Sequence, residues 1–399
     1  MGANKSTPES GKVESKDAGD HSPLPEDAQS YQGSSLECLS VSVPVQMTRH
    51  FVSGFSAGKT ALTSDLDSYY PTITGYFEQG YTLNTFYRVP GVVVQAGFRQ
   101  MQIPFEALYS RPVGITSCED SKQLLIEKST INVQQSGIGI QSRPHETVAN
   151  SSVIMNKIMQ HSSVGGRLIC VEVNGLVTTQ GIFERGVGVD VFFEIPSQPT
   201  PAKYVYQAIN VPISYTLKRG FRPKPTLDCD WLGTLATYLN QGWKLVEIIL
   251  DRFEQQNGAF TMSASINSVW IFEKESHKLQ DPTPVFEGAV LEYFHKVARG
   301  LRGISVKSDW TPVIAEMGRR GWELACIQET PEFYRYGFAK FEIKLIMFFQ
   351  RRIVAGEAMT PPAPPPPYPG PPSSTNPLDH ILTDPSPPDQ PAEKLDPPC

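Results

Sequence analysis

The sequence predicts an α+β fold in which four internal β-α-β-β repeats form paired helix-on-sheet units. Three observations predict it: a glycine turn that recurs four times, an apolar helical stripe before each turn, and alternating apolar strands on either side. The turn reads Gly80-Tyr81-Thr82-Leu83, Gly165-Gly166-Arg167-Leu168, Gly242-Trp243-Lys244-Leu245 and Gly321-Trp322-Glu323-Leu324. Eleven residues before each glycine stand Tyr69, Ile154, Trp231 and Trp310. Near-constant spacing of this kind is the signature of repeated supersecondary units.

Each predicted helix has its own start, face and stop. Ser68, Asp230 and Asp309 are suited to cap a first turn, because their side-chain oxygens accept from its free N–H groups. Pro71 and Pro312 fall in that first turn, where a missing N–H costs little. Tyr69, Ile73, Tyr76 and Phe77 recur at helical spacing, as do Trp231, Leu235, Tyr238 and Leu239, and then Trp310, Ile314 and Met317. The glycine then supplies the left-handed residue that stops the helix.

Strands flank each helix. Leu39, Val41, Val43, Val45 and Met47 alternate before the first, while 204–213 and 289–297 precede the third and fourth. Trp243 to Ile249 and Trp322 to Ile327 follow the turns; Val187 to Ile195, Val269 to Phe272 and Phe341 to Met347 close the units. The predicted units are 37–115, 120–198, 201–276 and 284–354, set between an arm at 1–36 and a tail at 355–399. Three strands under one helix leave a sheet face or edge needing cover, so the units are expected to pair.

The ends differ in composition. The arm holds one Val and one Leu before residue 35 and cannot bury enough apolar surface to order itself. Of the chain's 35 prolines, 16 lie between Pro361 and Cys399, a density that favours extended polyproline II over helix or sheet. The 399 residues carry a formal charge of −6, which argues against nucleic acid as a partner, since such proteins present a basic face. Six cysteines are scattered without a C-x-x-C, the usage expected in a reducing cytosol rather than in a disulfide framework or zinc site. No apolar run is long enough to span a bilayer, and the N-terminus has no secretory core segment, so membrane contact is expected through a lipid or a surface patch.

The stretch 204–352, with GWKLVEIIL, VWIFEK, SDW, GWELACI and MFFQRR, resembles the C-terminal part of the folded region of the raftlin family, and EQGYTL in the first unit resembles its N-terminal region more weakly. The resemblance implies a lipid-anchored protein of the inner plasma-membrane leaflet, acting in raft organisation, receptor signalling or endocytic uptake, with no reaction attached. The raftlin pattern adds a second acyl chain at a Cys in position 3, where this chain has Ala3.

Two terminal motifs carry chemistry of their own. Met1-Gly2-Ala3-Asn4-Lys5-Ser6 fits the acceptor pattern for N-myristoylation, in which the freed α-amine of Gly2 takes the acyl chain. A single myristoyl chain holds a membrane only marginally, with an association constant on the order of 10⁴ M⁻¹. Lys5, Lys12 and Lys16 would favour an anionic leaflet, but Glu9, Glu14 and Asp17 offset them. Pro365-Pro366-Pro367-Tyr368 fits the PPxY ligand of WW domains, with Pro365, Pro366 and Tyr368 as the contacting residues. Elsewhere the patterns fail. Gly54 to Thr60 has one residue too few between its glycines for a phosphate loop, the seven histidines include no metal-binding pair, and no nucleophile signature occurs.

The sequence therefore predicts a non-enzymatic, N-myristoylated adaptor at the cytoplasmic face of the plasma or endosomal membrane, partly cytosolic, with no cofactor or metal. One alternative is an adaptor that recruits WW-domain ubiquitin ligases to membrane cargo through its tail. Another is a small-ligand carrier or enzyme with its pocket between paired units, which a polar cleft with convergent carboxylates or a buried arginine would favour.

Overall fold

A computed structural model of the chain describes residues 21–24, 31–50, 60–117, 122–134, 151–179, 184–218, 225–257, 261–300 and 303–354. Gly2, Pro365, Pro366 and Tyr368 lie outside the described residues. The alternating apolar runs pair as long antiparallel hairpins. In chain order the elements begin β1 (Leu36–Arg49), β2 (Thr60–Ser64), α1 (Tyr70–Gly75), β3 (Thr82–Arg88), β4 (Val94–Gln95) and β5 (Gln100–Pro112). Next come β6 (Lys122–Gln134), α2 (Ser152–Ser162), β7 (Arg167–Thr179) and β8 (Glu184–Pro196). Then follow β9 (Tyr204–Lys218), β10 (Pro225–Asp228), α3 (Trp231–Leu239), β11 (Lys244–Asn257) and β12 (Thr261–Glu275). The last are β13 (Phe286–Gly300), β14 (Gly303–Val306), α4 (Thr311–Arg319), β15 (Glu323–Gly337) and β16 (Lys340–Arg352).

This arrangement corrects the expected fold class. The described residues are predominantly strand, and the α+β expectation of paired helix-on-sheet units does not hold. Most of the long strands run 13 to 15 residues. The helices are only 6, 11, 9 and 9 residues long. A helix of that length cannot cover the sheet face its strands present. Strands cover it instead: hydrogen bonds join twelve strands in one antiparallel sheet and β10-β9-β12-β11 in a second. The larger sheet is continuous across the expected units, since β2 pairs with β7 and β14 with β4. Sequence alternation foretold the strands but not their full length: the predicted 243–249 and 269–272 cover only parts of β11 (Lys244–Asn257) and β12 (Thr261–Glu275).

The helix signals are nonetheless visible locally. Asp230 Oδ1 accepts from Gly233 N at 2.9 Å at the start of α3, and Asp309 Oδ1 accepts from Thr311 N at 2.9 Å before α4. Gly80, Gly165, Gly242 and Gly321 take positive φ angles of 79, 91, 79 and 80°. At Gly242 a Cβ would also stand 2.8 Å from the Thr283 carbonyl oxygen, so close approach and backbone conformation both require glycine there.

The core sits where strand faces meet. Trp270 of β12 is fully buried; its ring stands edge-on to Phe348 of β16 at 5.2 Å and stacks on Trp231 at 6.1 Å. Trp310 is buried and donates from Nε1 to Glu106 Oε2 at 2.6 Å, whereas Trp231 is only half-buried. His295 is buried against the Trp310 ring, and burial pushes its pKa down to about 4.

Candidate functional site

The four strands that follow the glycine turns, β3, β7, β11 and β15, pack side by side around a common axis. Phe86 N of β3 donates to Cys170 Sγ of β7 at 3.3 Å, and Val171 N of β7 donates to Glu247 Oε2 of β11 at 3.0 Å. The Ile248 backbone of β11 hydrogen-bonds the Cys326 thiol of β15. In each contact the accepting side chain stands five residues after its glycine and the donating backbone six after the previous one. A register shift falls at the same step in all four strands: Leu83/Thr85, Leu168/Cys170, Leu245/Glu247 and Leu324/Cys326. At this shared bulge one side chain of β7, of β11 and of β15 meets a backbone N–H of the neighbouring strand, a contact that joins these strands where no ladder does.

Glu247 is the chemically unusual member. It is 7% exposed, and burial pushes its pKa up to about 8 even though Val171 N and Ile248 N both donate to its carboxylate. Burial also holds the Cys170 and Cys326 thiols well above their usual range, which makes them poor nucleophiles.

At the strand starts the axis opens into a small cleft. Residues two after each glycine, Thr82, Arg167, Lys244 and Glu323, meet there. Arg167 donates from Nε to both carboxylate oxygens of Glu273 at 3.0 Å, and Lys244 Nζ lies 2.9 and 3.0 Å from the Glu323 oxygens. Asn84 Nδ2 donates to Glu323 at 3.2 Å, and Gln350 exchanges two hydrogen bonds with the Leu245 backbone. Burial raises the Glu323 pKa, but Lys244 and then Arg167 outweigh it and leave the pKa below the ordinary value. Both cations that could receive an anionic ligand are thus already engaged by carboxylates. Arginine and carboxylates meet in one polar cleft, the feature expected of a ligand carrier, but Glu273 and Glu323 are each paired with a cation.

Sequence reasoning quoted the turn motifs but passed over the polar residues in them. The signal was available: Arg167, Lys244 and Glu323 share one repeat position, and Cys170, Glu247 and Cys326 another.

The raftlin family model matches residues 114–362, well over half of the chain. The chain belongs to the raftlin family. Among curated members it is 22% identical to Raftlin of Gallus gallus over 159 residues, which cover 40% of this chain and 25% of that protein. It is 23% identical to Raftlin of Mus musculus over 167 residues, covering 42% and 28%, and 26% identical to Raftlin-2 of Homo sapiens over 144 residues, covering 34% and 26%. The match thus spans about a quarter of the length of these raftlins. No solved structure matches the chain.

Proposed function

We propose that this raftlin-family protein is a non-enzymatic peripheral membrane adaptor, myristoylated at Gly2 and held at the cytoplasmic face of the plasma or endosomal membrane in signalling or endocytic traffic. The raftlin match over residues 114–362 carries the reading, together with an N-terminus that fits the myristoylation pattern. Among the described residues no helix is long and apolar enough to cross a membrane, which is in keeping with peripheral attachment. With Ala3 in place of a second acylated Cys, the acyl chain binds marginally, and a protein or lipid contact must add to it. Fractionation of cells expressing the wild type or Gly2→Ala tests the reading. The wild type divides between membrane and soluble fractions and the variant becomes soluble; equal membrane fractions would overturn it.

The tail supports a further element of this reading. Pro365, Pro366 and Tyr368 fit the PPxY pattern that WW domains bind, and such a contact would recruit a ligase or other WW protein to the membrane.

A further inference from the structure

The geometry points to a second membrane contact, on the folded region itself: we propose that the end of the large sheet carrying the β4–β5 and β15–β16 turns docks on an anionic bilayer, inserting Phe98 and Phe338. This inference rests on the peripheral-membrane reading above and names the surface that would complete it.

Strand register brings the two turns to one end. In β1–β5 pairing, Thr48 faces Gln100, so the close of β1 lies beside the β4–β5 turn. In β13–β16 pairing, Ala298 faces Lys340, and β14 joins this corner to β4 through Gly303 and Val94. The path β16-β13-β14-β4-β5 places the turns roughly 20 Å apart across the sheet, at about 4.8 Å per strand.

Phe98 is 90% exposed and Phe338 is 92% exposed, the two most exposed large apolar side chains among the described residues. Single exposed apolar residues are ordinary, but two full aromatic rings at the tips of neighbouring turns are not scattered. The Phe338 turn is fixed in place: Ala339 holds a φ of 54°, and its carbonyl accepts from Arg299 N at 2.8 Å. Exposed Arg99, Arg335 and Lys340 lie within three residues of a ring in sequence. Exposed Arg49 and Arg299 are joined to these turns by backbone hydrogen bonds, and half-buried Glu342 follows in β16. On a chain of net charge −6 this is a marked segregation of positive charge. Aromatic rings among basic side chains match a bilayer interface that is apolar below and negatively charged at its surface.

At His21 and Ser22 the chain runs antiparallel to β13. His21 forms an antiparallel bridge with Tyr293, and Ser22 N donates to Glu292 O at 2.8 Å. Followed back toward Met1, the chain at His21 therefore heads along β13 toward Gly300 and the turns. From Tyr293 to Gly300 is roughly 24 Å at about 3.4 Å per residue, and the residues from Gly2 to His21 can span up to about 65 Å. An acyl chain on Gly2 can reach the plane on which the two rings would rest.

Vesicle flotation of the full chain tests the proposal, with acylated and unacylated protein, on phosphatidylcholine vesicles with and without roughly one-third phosphatidylserine. Phe98→Ser and Phe338→Ser together should weaken binding to the phosphatidylserine vesicles about hundredfold, roughly tenfold per ring, in both acylation states. Phe98→Trp should bind like the wild type. Arg299→Glu with Lys340→Glu should abolish the preference for phosphatidylserine, and circular dichroism should be unchanged throughout. Binding that depends on acylation but is indifferent to both ring variants overturns the docking surface and leaves the Gly2 anchor standing. Binding that depends on the rings and is indifferent to acylation supports the surface and removes the anchor. A wild type that ignores vesicles in both acylation states overturns both.

Discussion

Replacing Glu247 by Gln tests whether the ring of central strands holds a buried carboxyl that stays protonated near neutral pH. Its pKa rises from an ordinary 4.5 to about 8, chiefly through burial. Below the ordinary value both the folded and unfolded chains carry the proton, and nothing is lost. Between that value and about 8 the unfolded chain releases the proton while the folded chain keeps it, so stability falls as pH rises. The slope reaches about 1.4 kcal/mol per pH unit, and the loss over the whole window is on the order of 5 kcal/mol. Glutamine keeps the shape but turns an NH₂ toward Val171 N or Ile248 N, leaving one buried donor unmatched at a cost of about 1–3 kcal/mol. Asp190, pushed up to about 7 by burial, adds a slope of the same sign to both proteins and cancels in the difference. Glu247→Gln should therefore be less stable than the wild type at pH 5 and more stable at pH 8.5, the two curves crossing between. Urea denaturation read by tryptophan fluorescence across that range measures it. Parallel curves for the two proteins would refute the buried, protonated carboxyl.

Two further outcomes follow from packing and from the tail. Trp270→Ala should destabilise the fold by about 3–5 kcal/mol, because it removes a fully buried ring between Phe348 and Trp231; a loss under about 1 kcal/mol in a denaturation curve would place this ring outside the core. A 361–375 peptide should bind a WW domain, lose binding with Tyr368→Ala and tolerate Pro367→Ala; titration against a panel of WW domains checks this, and equal binding by Tyr368→Ala would reduce the tail to a spacer.

Periodicity made the helix positions legible. Asp230 does cap α3, Asp309 accepts from Thr311, and the four turn glycines take left-handed backbone, all local effects written in neighbouring residues. Fold class was not legible in the same way. A run such as 323–337 reads as a short strand because Pro331 and the polar Glu329-Thr330 interrupt its alternation. In the structure β15 continues through an irregularity between Glu329 and Phe333, held by Thr330 Oγ1 donating to Lys344 O and by Lys344 beside Glu332 at 3.0 Å. Partners this distant in sequence cannot be read from a local window. The cleft was half legible: Lys244 and Glu323 stood in the motifs that revealed the repeat, but their pairing depends on strands 79 residues apart coming together around one axis. Nothing in the sequence around Glu247 marks it as buried, because its burial comes from the packing of the four strands.

The central claim is attachment through the N-terminus, and the most direct measurement is mass spectrometry of the N-terminal peptide from protein purified from its own cells. The account predicts a peptide that begins at Gly2, with Met1 removed and a myristoyl group on the α-amine. A peptide that keeps Met1, or that carries Gly2 free or acetylated, would contradict it.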